Sequence, residues 1–280
     1  MKLFRTIKEI KENLSLQKVS GKTIGFVPTM GALHQGHLSL LENARKENDI
    51  TVCSIFINPI QFNNKEDYNK YPRSTESDIL MLEKINCDFL FMPEKSEMYP
   101  DDKVINYDLG GLDKNMEGTF RPGHFNGVAV VVKKLFDIVE PDKAYFGQKD
   151  FQQLAIIKYF VKQLKIPVQV IGCQTVREND GLAMSSRNQR LTPEQRTVAP
   201  LIYKTLMKAK TVAESKNISD LKRLVEEEIS RCVLMKLEYF DIVDAETLQS
   251  VHNLENHKSV VACIAVYLGN VRLIDNVNFL

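Results

Sequence analysis

The sequence predicts an α/β protein: a Rossmann-like, doubly wound parallel sheet followed by a smaller C-terminal α+β domain. Three observations predict it. Over roughly the first 175 residues, short apolar runs alternate with segments of helical spacing, as strands joined by crossover helices require. The run from Ile50 to Ile57 is apolar and β-branched, as a strand covered on both faces should be. Beyond about residue 190 the order changes to two helices and then strands, the last two flanking Gly269-Asn270, a two-residue connector suited to a tight hairpin.

Taken in order, Phe4, Ile7, Ile10 and Leu14 fall at helical spacing and predict an amphipathic helix over residues 4 to 18. Thr23 to Val27 reads as a short buried strand, Pro28 to His37 as a glycine-bearing turn, and Leu38 to Ala44 as the start of a helix. The strand from 50 to 57 runs into Asn58-Pro59-Ile60-Gln61-Phe62, a loop at its carboxyl end, which is the edge where open α/β sheets bind ligands. A helical segment near 75 to 86 precedes a strand from Cys87 that stops at Pro93. Strands at 143–147 and 168–172 flank a helix over 150–164. Helices over 193–212 and 217–235 lead into strands at 237–243, 260–268 and 271–274. The texture changes between 175 and 190, which divides the chain into an N-terminal domain, residues 1–175, and a C-terminal α+β lid domain, residues 176–280.

Composition narrows the function classes. With 37 basic and 36 acidic residues the formal charge is +1, which supplies no broad electrostatic footprint for nucleic acid or an anionic membrane. Cys53, Cys87, Cys173, Cys232 and Cys263 are far apart and mostly set in apolar runs, so they read as reduced core residues. The N-terminal residues lack the apolar core of a signal peptide, and no stretch is long enough to cross a bilayer; cytoplasmic residence is the expectation.

Three clusters carry chemistry. The first is Pro28-Thr29-Met30-Gly31-Ala32-Leu33-His34-Gln35-Gly36-His37, between a strand and a helix start. Such a turn aims unpaired backbone N–H groups and a positive helix end at one spot, which favours an anion such as phosphate. His34 and His37, three apart, can face the same ligand, and Gly36 lets the backbone approach it. Two surface histidines on an ordinary helix cap would give the same spacing. The second cluster is Gly147-Gln148-Lys149-Asp150, where a lysine can hold a phosphate while Asp150 caps a helix or meets a ribose hydroxyl. The third, Asp180 to Asn188, puts two hydroxyls and a guanidinium in one mobile loop able to close over a polyphosphate; a polar linker with a helix cap is its plain alternative.

The H-x-G-H element with M-S-S-R on an α/β sheet resembles the nucleotidylyltransferase superfamily. P-T-M-G-A-L-H-Q-G-H at 28–37, F-I-N-P-I-Q-F at 56–62, Y-P-R at 71–73, R-P-G-H-F at 121–125, F-G-Q-K-D at 146–150 and G-L-A-M-S-S-R-N at 181–188 narrow it. Together they resemble the pantoate:beta-alanine ligase (pantothenate synthetase) family. The resemblance implies ATP-dependent condensation of pantoate with beta-alanine through a pantoyl-adenylate, giving pantothenate, AMP and pyrophosphate.

By that resemblance Met30, Gly31, Ala32, Leu33, His34, Gln35, Gly36 and His37 line the ATP site, with His34 and His37 stabilising phosphate charge and His37 the family's proton donor. Gln61 and Gln153 match pantoate-binding glutamines, whose amides both donate and accept without a buried charge. Gly147, Gln148, Lys149, Asp150, Val176 and Met184 match nucleotide-contacting positions, and Lys149, Ser185, Ser186 and Arg187 would grip the β- and γ-phosphates. Mg2+ is implied, held largely by phosphate and water, with no protein ligand assigned. Arg121 and His124 match a dimer-proximal segment, and a homodimer is implied. Rival readings are a nucleotidylyltransferase that stops at a nucleotide-linked product, an aminoacyl-tRNA synthetase sharing the paired motifs, and a non-catalytic nucleotide-binding module.

Overall fold

β1 (Lys2–Phe4) opens the chain because Phe4 is buried edge-on against Phe89, ring centroids 5.4 Å apart. The helix expected over 4–18 therefore starts later, as α1 (Ile7–Val19), with Thr6 and Glu9 closing a capping box and Ile10 and Leu14 buried. The structure, a computed structural model, describes residues 1–101 and 105–280. There follow β2 (Ile24–Thr29), α2 (Gln35–Glu47), β3 (Ile50–Ile55), α3 (Lys65–Asn69), α4 (Thr75–Lys84), β4 (Phe89–Phe91), α5 (Lys95–Met98), α6 (Glu117–Phe120), α7 (His124–Val139), β5 (Lys143–Gly147), α8 (Phe151–Gln163) and β6 (Gln169–Cys173). The remainder is α9 (Pro193–Val198), α10 (Leu201–Thr211), α11 (Ile218–Ser230), β7 (Met235–Asp244), β8 (Val260–Leu268) and β9 (Val271–Asn278).

The chain divides into two compact units. The first comprises Met1–Gly111, Arg121–Gln148 and Ile156–Gln174; the second comprises Leu112–Phe120, Lys149–Ala155 and Thr175–Leu280. In the first, six parallel strands run in the order β1-β4-β3-β2-β5-β6. All six residues of β3 are buried, as its composition demands. Chain order runs outward from β2 to β3 and β4 on one side, then returns to lay β5 and β6 on the other. The sheet therefore reverses between β2 and β5, and a crevice for ligands opens beyond the carboxyl ends of strands at such a reversal.

The sequence reading missed α7. Twelve of its sixteen residues are buried, and its polar residues are confined to one narrow stripe, Asn126, Lys133, Lys134 and Asp137, beside a long run of valines. Four shorter differences have local causes. The helix expected over 193–212 breaks at Ala199-Pro200, where proline supplies no N–H, into α9 and α10. The one expected over 217–235 ends at Ser230, and that over 150–164 is preceded by a single 3-10 turn, Gln148–Asp150. β9 extends past Ile274 to Asn278.

In the second unit β7-β8-β9 form an antiparallel sheet, joined between β8 and β9 by the two-residue turn. Gly269 there has φ +56°, a first-position backbone suited to a II′-type hairpin. Ile202 and Leu206 of α10 and Leu221, Val225 and Ile229 of α11 bury their apolar faces with Ile264 and Val266 of β8. A charged cluster closes this unit: Arg272 reaches both carboxylate oxygens of Glu117 at 2.7 Å and also pairs with Glu238, while the Tyr239 hydroxyl donates to Glu117 at 2.9 Å. No helix among the described residues is long and apolar enough to cross a membrane.

Candidate functional site

The turn after β2 has two consecutive left-handed residues, Gly31 at φ +79° and Ala32 at φ +50°. Glycine adopts that region freely, whereas alanine resists it by about 1 kcal/mol. The turn is held by its hydrogen bonds. Gly31 N–H donates to Thr29 Oγ1 at 3.1 Å, and the Asp78 carboxylate accepts from Ala32 N–H at 2.9 Å and from Leu33 N–H at 2.8 Å. His34 is the N-cap of α2: its Nδ1 accepts from Gly36 N–H at 3.1 Å, and its own N–H donates to His37 Nδ1 at 3.3 Å. The two rings lie 4.0 Å apart, centroid to centroid.

This geometry corrects one expectation. The N–H groups of Gly31, Ala32, Leu33, His34 and Gly36 are all bonded within the chain, so they are not the unpaired cradle foreseen for an anion. With both Nδ1 atoms accepting, each neutral ring carries its proton on Nε2 and can donate through it.

The loop after β3 forms a 3-10 turn, Pro59–Gln61, and buries Gln61. The Gln61 amide is fixed from two sides: its oxygen accepts from Asn58 Nδ2 at 3.1 Å, and its nitrogen contacts Met30 Sδ at 3.1 Å. Asn58 is in turn held by the Tyr99 hydroxyl at 2.8 Å and by Gly127 O at 3.0 Å, and burial pushes the Tyr99 phenol well above its ordinary pKa, keeping it a donor. Met30 and Gln61, predicted from separate motifs, thus touch. Behind them His124, buried at the start of α7, bonds Gln61 O at 2.8 Å through Nδ1 and faces an Arg121 nitrogen at 3.0 Å through Nε2. A carbonyl partner makes Nδ1 the donor, leaving Nε2 to accept from the guanidinium. Asn58, Tyr99, Gly127 and His124 support Gln61, and the sequence reading gave none of them that task; the buried His at a helix start within R-P-G-H-F was the available signal.

Gly147 and Gln148 close the first unit's share of the predicted residues, at the carboxyl end of β5, the strand next to β2. In the second unit Lys149, mostly shielded from solvent, has its Nζ 3.3 Å from Asp150 Oδ1, and its backbone carbonyl accepts from Asn276 Nδ2 at 2.8 Å. Gln152 is spent internally, donating to Leu112 O and Asn115 O at 2.8 Å each and accepting from Glu117 N–H at 3.0 Å. Its neighbour Gln153 is half-buried.

The segment foreseen as a mobile loop is a small hairpin. Met184 N–H donates to Val176 O at 3.0 Å, Glu178 N–H to Leu182 O at 2.8 Å, and Arg177 bridges Ala183. Arg177 also forms a two-pronged pair with the buried Asp275, at 2.6 and 2.9 Å, donates to Gly181 O at 3.1 Å and stacks on Tyr203. Past the hairpin, Ser185 caps a 3-10 turn, Ser186–Arg190, accepting from Arg187 N–H at 3.3 Å, and Ser186 is buried. Val176, Met184, Ser185, Ser186 and Arg187 thus belong to one compact element.

Among the described residues no three His, Cys, Asp or Glu side chains form a candidate metal cluster, and each Asp78 oxygen accepts a backbone N–H of the turn.

Comparison with known proteins adds a separate line of evidence. The family model described as Pantoate-beta-alanine ligase matches residues 2–278. The pantothenate synthetase of Bacteroides thetaiotaomicron is 50% identical over 279 residues, covering 100% of this chain and 99% of that protein. The crystal structure of the Thermus thermophilus pantothenate synthetase superimposes with a TM-score of 0.93 at 41% identity, covering 100% of this chain and 99% of the other. A pantoate-beta-alanine ligase from Francisella tularensis, complexed with beta-gamma ATP and beta-alanine, gives 0.82 at 37% identity, with 100% and 98% covered.

Proposed function

The chain belongs to the Pantoate-beta-alanine ligase family, and on that premise we propose how its own residues carry the reaction. It joins pantoate to beta-alanine with ATP. In the first half, a pantoate carboxylate oxygen attacks the α-phosphorus and displaces pyrophosphate, giving pantoyl-adenylate. In the second, the neutral amine of beta-alanine attacks the activated carbonyl, the C–O bond to AMP breaks, and the amine loses a proton as the amide forms. The adenylate makes chemical sense because a carboxylate oxygen is a poor leaving group until it is phosphorylated.

One observation carries the assignment of roles: two imidazoles, each with Nδ1 occupied by a backbone N–H, stand at the end of β2 where the sheet reverses. Their Nε2–H groups are donors held in place before substrate arrives, and donors aimed at charge that builds during phosphoryl displacement lower the barrier. A neutral ring that gave up its only N–H proton would become an imidazolate, so hydrogen-bond donation suits His37 better than the proton transfer implied by the family pattern. His34 works beside it. Gln61, clamped by Asn58 and Met30, meets the pantoate hydroxyls, with Gln153 as the second glutamine. Lys149, Ser185, Ser186 and Arg187 hold the β- and γ-phosphates, and Gly147, Gln148, Asp150, Val176 and Met184 contact the nucleotide. Mg2+ would be carried largely by phosphate oxygens and water, which this hard ion prefers; among the described residues no cluster of three His, Cys, Asp or Glu stands ready to hold it. Service of residues 176–280 as a lid, a homodimer and a cytoplasmic location belong to the same proposal, the dimer being open to sedimentation.

Mass analysis of products from ATP, Mg2+, pantoate and beta-alanine tests this reading. Pantothenate with equimolar AMP and pyrophosphate is expected, with sustained AMP release requiring the amine. AMP release at the same rate without beta-alanine would overturn it.

A further inference from the structure

Asp78 stands on the first turn of α4, only 1% exposed, with no part in the chemistry described above. Three donors converge on its carboxylate. Oδ2 accepts from Ala32 N–H at 2.9 Å; Oδ1 accepts from Leu33 N–H at 2.8 Å and from the Ser74 hydroxyl at 3.0 Å. The contact is close on the other side as well, for a Cβ on Gly31 would meet Asp78 Oδ2 at 3.1 Å and Ile55 Cγ2 at 3.0 Å.

We propose that Asp78 is the positioning residue for the catalytic turn: it holds Ala32 in its left-handed conformation by accepting the two N–H groups that this conformation presents together, and so fixes where His34 enters α2. The alternative use of a buried carboxylate near a nucleotide site is to ligate a cation. Here three of its roughly four acceptor sites are already filled, two of them by backbone N–H groups that burial would leave unpaired if the carboxylate turned away to enclose an ion. Without the carboxylate, Ala32 has every reason to leave φ +50° for ordinary negative φ, and the chain direction two residues before the His34 cap changes with it. The inference rests on the role given above to His34 and His37, and its test includes a measurement that does not.

The variant is Asp78→Asn, whose amide keeps one accepting oxygen but turns an NH2 toward a backbone N–H. In amide hydrogen exchange, Ala32 and Leu33 should be protected in the parent and lose protection in D78N. Turnover should fall on the order of 100-fold, the usual consequence of misplacing a catalytic group by about 1 Å. The Mg2+ concentration giving half-maximal rate should move less than about twofold. Adding Ala32→Gly to D78N should restore turnover by roughly five- to tenfold, because glycine takes the left-handed region without strain; A32G alone is measured as the reference. Unchanged protection, unchanged turnover, no restoration by A32G, or a tenfold shift in Mg2+ dependence would each overturn the proposal. If D78N does not fold, Ser74→Ala removes one donor only and should lower turnover by about three- to fivefold, with no loss counting against the idea. The two readings fail separately: a silent His37→Ala would remove the catalytic assignment while the exchange data still report on Asp78.

Discussion

Gly127→Ala is the sharpest probe of how Gln61 is placed. A Cβ at residue 127 would lie 2.6 Å from Gln61 Cα, 2.7 Å from Gln61 N and 2.8 Å from Ile60 C. All three are backbone atoms, so no side-chain rotation relieves the clash. Ordinary carbon contacts need about 3.5 Å, which forces the 3-10 turn and α7 apart by roughly 0.9 Å. That retreat pulls on every tether of Gln61 at once, because Asn58 donates to both Gln61 and the Gly127 carbonyl and His124 bonds the Gln61 carbonyl. Overpacking of this kind costs about 1–3 kcal/mol of stability, a few degrees in Tm. Misplacement approaching 1 Å should lower kcat/KM for pantoate by about 10- to 100-fold. The assay is steady-state AMP formation with pantoate varied at saturating ATP and beta-alanine, alongside thermal denaturation; the KM for ATP should stay within about threefold. A Tm drop with kcat/KM for pantoate unchanged within twofold would refute the claim that this packing positions Gln61 for pantoate.

Other perturbations separate roles in the same way. His37→Ala should cut adylate-forming turnover by about 100-fold or more, the range seen when one preorganised donor is removed, whereas His37→Gln, which still donates, should retain several times the alanine variant's activity; equal activities in single-turnover measurements would refute a donor role. Gln152→Ala should lower Tm by several degrees by stranding three backbone groups while leaving pantoate kinetics within a few-fold, and Gln153→Ala should do the reverse; interchanged results in paired melts and kinetics would refute the assignment. Arg272→Met leaves the buried Glu117 and the half-buried Glu238 side by side without their cation and should cost about 3–5 kcal/mol in denaturant unfolding. Asp244 is held down to about 2, first by the Thr247 N–H and then by His257, so its contribution to stability is complete above the ordinary carboxylate pKa and fades as pH falls from about 4 toward 2; the stability gap between wild type and Asp244→Asn should close over that window.

Most of the fold was legible because strands and crossover helices carry different periods. β3 could be read from its apolar run and the β8–β9 hairpin from Gly269-Asn270, since each depends on local chemistry. What escaped depends on partners distant in sequence. Lys2–Phe4 is a strand because Phe89–Phe91 lies beside it, which three residues cannot reveal. α7 is buried on most sides, and its valine-rich run, β-branched like a strand, left only a narrow polar stripe to mark it as a helix. At the site, residue types pointed to imidazoles, an amide and a lysine, but the donors' partners did not show. That Asp78, 46 positions beyond Ala32, would consume the turn's N–H groups is a property of the tertiary structure alone.

That consumption changes how an anion must be recognised here. A helix start after a glycine turn ordinarily offers backbone N–H groups, which no side-chain substitution removes. In this chain the N–H groups of Gly31, Ala32, Leu33, His34 and Gly36 are turned inward to Thr29, Asp78 and the two Nδ1 atoms, and the role proposed above passes to the Nε2–H groups of His34 and His37. The exchange gives up a donor set immune to side-chain mutation for one that stands farther from the backbone. On the proposed roles, neutral imidazole dipoles would face the reacting α-phosphate, while the cations Lys149 and Arg187 would hold the β- and γ-phosphates. A donor that strengthens its bond as charge accumulates favours the transition state over the bound substrate, and that difference, not tight binding, is what accelerates the chemical step.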